Sequence, residues 1–163
     1  MSKKRPKTTL DEIDYGIIAA LQNNARLSNK ELAAGVGLSP SACLERVRRL
    51  RQSDIIRGYV AEVDPSALGI GLIAMLFVRL TSHERDKFAR VVSHLMAQVE
   101  VTAVYELAGN DDLLVHVVCR DANHLRDFVA DIMGARNEFA HFVTSLVFEH
   151  YQKRGLPNLR EQS

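Results

Sequence analysis

The stretch from Leu38 to Gln52, LSPSACLERVRRLRQ, gathers four arginines behind a Ser-Pro pair in a chain whose formal charge is only +1. On a helix of about 100° per residue, Ser41, Ala42, Glu45, Arg46 and Arg49 share one sector, and Cys43, Val47 and Leu50 form a stripe on the other side. The first set is chemically equipped to read flat polar edges. Serine bonds donors or acceptors, alanine meets a thymine methyl, glutamate accepts from cytosine N4, and arginine clamps guanine or a phosphate. A solvated helix with Glu45 paired to Arg48 or Arg49 would also explain the charges. The surrounding elements decide between the two readings.

A first helix is expected from Leu10, where Ile13, Ile17, Ile18 and Leu21 recur at helical spacing and Asp11, Glu12 and Asp14 suit its N-terminal end. Asn23-Asn24 closes it. Ser28 to Glu31 has the S-x-x-E form of a capping box, so a short second helix begins near Asn29 and breaks at Gly35-Val36-Gly37. Ser39 caps a third helix with Pro40 at its first position, running to about Arg51. Three helices with a tight turn before the last make a helix-turn-helix, whose third helix enters the major groove. The candidate DNA contacts are Ser28 and Asn29 at the start of helix two, Ser39, and the sector Ser41, Ala42, Glu45, Arg46 and Arg49. IIRGYVAEVD then reads as a short extended segment or wing. Charge follows this division: residues 1–60 carry eleven Lys and Arg against six Asp and Glu, the remainder ten against fourteen. A basic module followed by an acidic one favours nucleic acid as partner of the first.

From Leu72 the pattern changes. LIAMLFVRL reads as a buried strand, and Phe88, Val91, Val92, Leu95 and Val99 mark an amphipathic helix. Strands at about Val101–Leu107 and Leu113–Cys119 flank the turn Gly109-Asn110-Asp111-Asp112. Another helix carries Leu125, Phe128, Val129, Ile132 and Met133, with Asp121 as N-cap and Gly134 after its end. The last strand is FVTSLVFEH, residues 142–150. The order βαββαβ is a ferredoxin-like unit with both helices on one sheet face, so the fold class is α+β. Its strands are apolar on both sides, which implies that a second copy covers the helix-free face.

Cys43 and Cys119 form no C-x-x-C pair, and Cys43 lies on the apolar stripe as a small core residue. MSKKRPK is followed by no apolar signal core and reads as a solvated arm. The run from Ile70 to Phe77 is too short to span a bilayer, so a cytoplasmic chain with no membrane partner is expected. His83, His94, His116, His124, His141 and His150 are scattered, with neither metal-ligand spacing nor a nucleophile motif, so no metal, no cofactor and no catalytic residue is expected.

LDEIDYGIIAALQNNARLSNKELAAGVGLSPSACLERVRRL, followed by IIRGYVAEVDPSALG, closely resembles the leucine-responsive regulator/asparagine regulator (Lrp/AsnC) family of prokaryotic transcription factors. The resemblance extends from Leu10 to about Tyr151, and GNDD matches the family's G-x-x-D turn. It implies a winged helix-turn-helix on pseudo-palindromic operator DNA and a homodimer assembling to tetramers or octamers. It also implies a small-molecule effector, usually an amino acid, bound near Gly109, Asn110, Asp111 and Asp112, with Thr144 and Ser145 of the final strand as weaker candidates. The corresponding division is an arm at 1–9, the DNA-binding domain at 10–60, a linker strand and hinge at 61–71, the effector domain at 72–151 and a tail at 152–163. Four positions depart from the pattern. Asp54 stands where glycine is usual, Leu113 where an aromatic is common, and Asn137-Glu138 where Pro-Gly is frequent. Competing readings are an enzyme resembling haem-biosynthesis decarboxylases of similar two-module layout, and an amino-acid sensor that does not bind DNA.

Overall fold

A computed structural model describes residues 9–133, 137–153 and 155–159. The chain divides into two compact units, one of Met1–Ala61 with Tyr151–Ser163 and one of Glu62–His150.

The first unit contains α1 (Glu12–Asn23), α2 (Asn29–Gly35) and α3 (Pro40–Gln52). Each helix starts on a side-chain cap. Asp11 and Asp14 form a reciprocal capping box on α1, Ser28 and Glu31 form the expected one on α2, and Ser39 accepts the Ala42 N–H of α3 behind Pro40. These caps satisfy N–H groups that have no partner within their own helix. The turn before α3 depends on Gly37 at φ +70°, a region costly for a residue with a Cβ. Ile17, Leu32, Ala33, Cys43 and Leu50 form the core, so Cys43 is a packing residue and burial pushes its thiol pKa up. Leu50 ends α3 by accepting the N–H groups of Ile55 and Ile56. Asp54 makes this exit in the left-handed region at φ 56°, as its place in a glycine position required.

Two expectations for the following segment are corrected. Residues 55–64, read as a short extended segment or wing, join no strand in the single chain, and 57–64 are exposed, with Val60 at 94%. The expected linker strand is a short 3-10 turn, Pro65–Leu68, capped by Asp64. Exposed backbone can bond solvent, so this segment needs no neighbouring strand within one chain. In the tail, the Leu156 N–H donates to Gln22 Oε1 at 2.7 Å, attaching residues 155–159 to α1.

The second unit contains β1 (Leu72–Leu80), α4 (Arg85–Met96), β2 (Val101–Glu106), β3 (Leu113–Cys119), α5 (Ala122–Met133) and β4 (Phe139–Val147). The sheet order is β2-β3-β1-β4 and all pairs are antiparallel. One face buries Ala74, Leu76, Val78 and Leu80 of β1 with Leu113, Val115, Val117 and Cys119 of β3, against Val91 and Leu95 of α4 and Leu125 and Phe128 of α5. The opposite face presents Ile73, Met75 and Phe77 beside Leu114 and Val118, partly exposed.

The final strand begins three residues earlier than read from sequence, at Phe139, because Leu80 pairs with Phe139 and Thr81 bonds the carbonyl of Glu138. It therefore ends at Val147 and leaves Phe148 exposed. Val99 was placed on the buried face of α4, but the helix stops at Met96 and Val99 is 88% exposed. Asp121 accepts the His124 N–H at 2.8 Å, as a cap of α5 should. The expected terminator Gly134 lies outside the described residues.

Candidate nucleic-acid interface and effector turn

The start of α3 is pinned from α2: Asn29 Nδ2 donates to the Pro40 carbonyl at 2.7 Å. Ser28 is engaged by Glu31, whose carboxyl is held below the usual range chiefly by hydrogen bonding to Ser28. Ser39 Oγ lies 3.2 Å from Ser41 Oγ. Ser28, Asn29 and Ser39 therefore shape the helix-turn-helix, whatever else they touch. Ser41, Ala42 and Glu45 are exposed on one sector, and Glu45 meets Arg48 at 3.8 Å.

Arg46 and Arg49 of the same sector have partners that the sequence reading missed. Arg46 Nη1 donates to Asp11 Oδ2 at 2.6 Å and to Asp14 Oδ1 at 3.0 Å, while Arg49 Nη2 donates to Asp14 Oδ2 at 2.5 Å. Asp14 is fully buried, whereas the side chains of Arg46 and Arg49 are 26% and 47% exposed. Asp11 is held below the ordinary carboxylate range first by its hydrogen bond from Arg46, which in turn is raised by Asp11 and Asp14. A signal existed: Asp14 precedes Ile17, Ile18 and Leu21 at i+3, i+4 and i+7, so a carboxylate occupies the apolar stripe. A buried charge at such a position calls for a cation from a facing element.

In the sheet unit, the turn Gly109 to Asp112 joins β2 to β3. Asp112 Oδ2 accepts the Leu80 N–H at 2.7 Å, and its Oδ1 lies 2.8 Å from His83 Nε2. Arg79, also missed from sequence, donates through Nε to the Asn110 carbonyl at 2.8 Å and lies 4.0 Å from Asp111. Gly109 and Asn110 are exposed and Asp111 is half-buried. Thr144 and Ser145 are not brought to this turn within one chain. They pair with Leu76 and Met75, four and five residues along β1 from Leu80, or roughly 13–17 Å. They also point to opposite faces of the sheet, as successive strand residues do.

His124, His116 and His83 have side-chain partners. His124 Nδ1 accepts the Arg120 N–H at 3.2 Å, so its Nε2 carries the proton and donates to Glu100 at 3.0 Å. His116 Nδ1 bonds Thr102 Oγ1, and His83 bonds Asp112. Among the described residues no group of three or more His, Cys, Asp or Glu could hold a metal ion, and no helix is long and apolar enough to cross a membrane.

Comparison with known proteins agrees with this architecture. Residues 10–51 match the AsnC-type helix-turn-helix domain and residues 73–157 the Lrp/AsnC ligand binding domain. The HTH-type transcriptional regulator AldR of Mycolicibacterium smegmatis is 45% identical over 141 residues, 86% of this chain and 82% of that protein. The leucine-responsive regulatory protein of Escherichia coli K12 is 35% identical over 132 residues, 81% of this chain and 80% of that protein. The solved complex of the regulator NMB0573 of Neisseria meningitidis with L-Met superimposes with a TM-score of 0.85 at 30% identity, covering 95% of this chain and all of that one. Both domains, in the same order as here, together with these relatives establish that the chain belongs to the Lrp/AsnC family of transcriptional regulators.

Proposed function

We propose that the chain is a cytoplasmic, sequence-specific regulator that binds pseudo-palindromic operator DNA as a homodimer-based assembly and is modulated by an amino acid or related small molecule. The observation that carries this reading is the exposed hydroxyl, methyl and carboxylate set of Ser41, Ala42 and Glu45 on a third helix braced by α1 and α2. Ser41 and Glu45 supply donors and acceptors for base edges, and Ala42 a thymine contact. Ser28, Asn29 and Ser39, at the N-terminal ends of α2 and α3, sit where helix N–H groups favour phosphate oxygens. Arg49 adds a phosphate contact from its exposed half, while Arg46 gives its charge first to Asp11 and Asp14.

The second copy covers the apolar face of Ile73, Met75, Phe77, Leu114 and Val118, because a sheet face of this composition in water wastes the hydrophobic gain of burial. Two-fold pairing then spaces the third helices for half-sites about one DNA turn, ~34–36 Å, apart or a multiple of it. Tetramers or octamers follow by stacking such dimers. The effector contacts lie at Gly109, Asn110, Asp111 and Asp112, with Thr144 and Ser145 entering from another part of the assembly. The turn N–H groups receive an α-carboxylate and Asp111 an α-ammonium. The amino acid bound to the Neisseria relative supports this ligand class.

Fluorescence anisotropy of labelled DNA from the region upstream of the chain's own gene, against a scrambled duplex, tests the reading across a salt series with and without pooled amino acids. Tight, salt-sensitive preference for the native duplex, shifted by the pool, is the expected result. Equal binding to both duplexes by folded protein would overturn operator recognition.

A further inference from the structure

Asp14 is the one charged residue with no exposed surface among the described residues, and it lies beneath the helix proposed to read DNA. Its two carboxylate oxygens take one guanidinium each: Arg46 on Oδ1 at 3.0 Å and Arg49 on Oδ2 at 2.5 Å. Asp14 Oδ2 also closes the capping box by accepting the Asp11 N–H, and the Asp14 N–H donates to Asp11 Oδ1 at 2.9 Å. The carboxylate is thus fixed by its own helix before it meets α3.

Two consequences follow from elementary electrostatics. Asp11 and Asp14 balance Arg46 and Arg49, so two of the four arginines of α3 add no net charge to its surface. A buried carboxylate stripped of its partners is strongly unfavourable, so the pairing persists when an anion approaches from solvent. Arg46 spends its anchored nitrogen on both carboxylates and is mostly covered. Arg49 is different. One terminal nitrogen is anchored, nearly half of its side chain is exposed, and it follows Glu45 by one helical turn. A guanidinium is a rigid planar fork with five donors, so fixing one nitrogen fixes the direction of the rest.

We infer that Asp14 is a positioning residue for DNA recognition: it holds the Arg49 guanidinium at a set angle for one backbone phosphate, and it cancels charge that would otherwise strengthen sequence-blind binding. The inference rests on the operator-binding reading above. A phosphate contact made at a fixed angle sets the register of α3 on the groove, and register determines which bases face Ser41, Ala42 and Glu45. A loose arginine attracts any phosphate along the duplex and fixes no register.

The test uses the full chain, the labelled upstream duplex and the scrambled duplex over a salt series, with circular dichroism to confirm folding. Asp14→Asn retains an acceptor oxygen for the cap but removes the charge that holds Arg49, while Arg46 stays paired with Asp11. It should bind scrambled DNA several-fold tighter, lose about tenfold in preference for the upstream duplex, and steepen the salt dependence by ~1. A purely structural role would weaken both duplexes together and leave preference and slope unchanged. Arg49→Lys preserves charge and leaves Asp14 paired, so it answers the question should Asp14→Asn fail to fold. It should keep the slope and lose preference. Wild-type preference and slope in either folded variant would overturn the positioning role. Should the wild-type chain itself show no preference, the operator-binding reading falls and this inference falls with it.

Discussion

Asp112, in the turn that joins β2 to β3, accepts the backbone N–H of Leu80 at 2.7 Å and so fastens that turn to the end of β1. Its second oxygen lies 2.8 Å from His83 Nε2. Each oxygen of the G-x-x-D carboxylate therefore has one partner that helps hold the turn. Beside it Gly109 and Asn110 are exposed, Asp111 is half-buried and Arg79 donates to the Asn110 carbonyl. The aspartate of the motif thus shapes the turn.

The Leu80 N–H, with His83 adding to it, holds the Asp112 carboxyl below its ordinary range despite burial. A group whose folded-state pKa is depressed contributes stability that is complete above its unfolded value and is lost as pH falls through the lower folded one. Asp112→Asn is expected to destabilise the sheet unit by ~1–2 kcal/mol at neutral pH. That difference should shrink below about pH 4 as the wild-type carboxylate takes up its proton. Urea unfolding at pH 7 and pH 3 checks it, and an undiminished gap at pH 3 would mean that the charge contributes nothing.

Gly71 and Gly109 should respond in opposite ways to alanine. A Cβ at Gly71 would lie 2.3 Å from the Arg120 carbonyl oxygen, so the backbone must move. At Gly109 a Cβ meets nothing within 4 Å, and its φ lies outside the left-handed region. Gly71→Ala is expected to cost ~1–3 kcal/mol of stability, whereas Gly109→Ala should stay within ~0.5 kcal/mol of wild type. Thermal unfolding of both variants decides the matter, and equal losses would show that the G-x-x-D glycine is needed for the fold.

Leu114 lies on the helix-free sheet face, opposite Phe77 of β1 and Tyr105 of β2. Leu114→Glu places a charge where a second copy is proposed to pack, and only an assembled chain buries that charge. Light scattering should show a lower mass at native circular dichroism. An unchanged mass would place the contact between copies elsewhere.

Much of this molecule was legible along the chain. The capping box of α2, the Ser39-Pro40 start of α3 and the core role of Cys43 all depend on residues three or four apart, and the sequence displays such spacings directly; the reciprocal box of Asp11 and Asp14 on α1 was read only as charge favourable to the helix end. The alternation of β3 and the GNDD turn were readable for the same reason. The end of α4 at Met96 was not, since the apolar spacing carried Val99 past it.

Sequence by itself determined the order of elements, the caps of α2, α3 and α5, and the resemblance to a regulator family, because these arise from neighbours on one helix or one strand. Tertiary structure decided the rest. Pairing with β1 set the start of β4 at Phe139, because Leu80 and Thr81 supply its partners. Packing of α1 on α3 turned Arg46 and Arg49 towards Asp11 and Asp14. A charged side chain can answer to solvent, to a ligand or to an opposite charge more than thirty residues away. Only the fold specifies which of these lies within 3 Å of it, and for Arg49 that partner is a carboxylate buried from solvent.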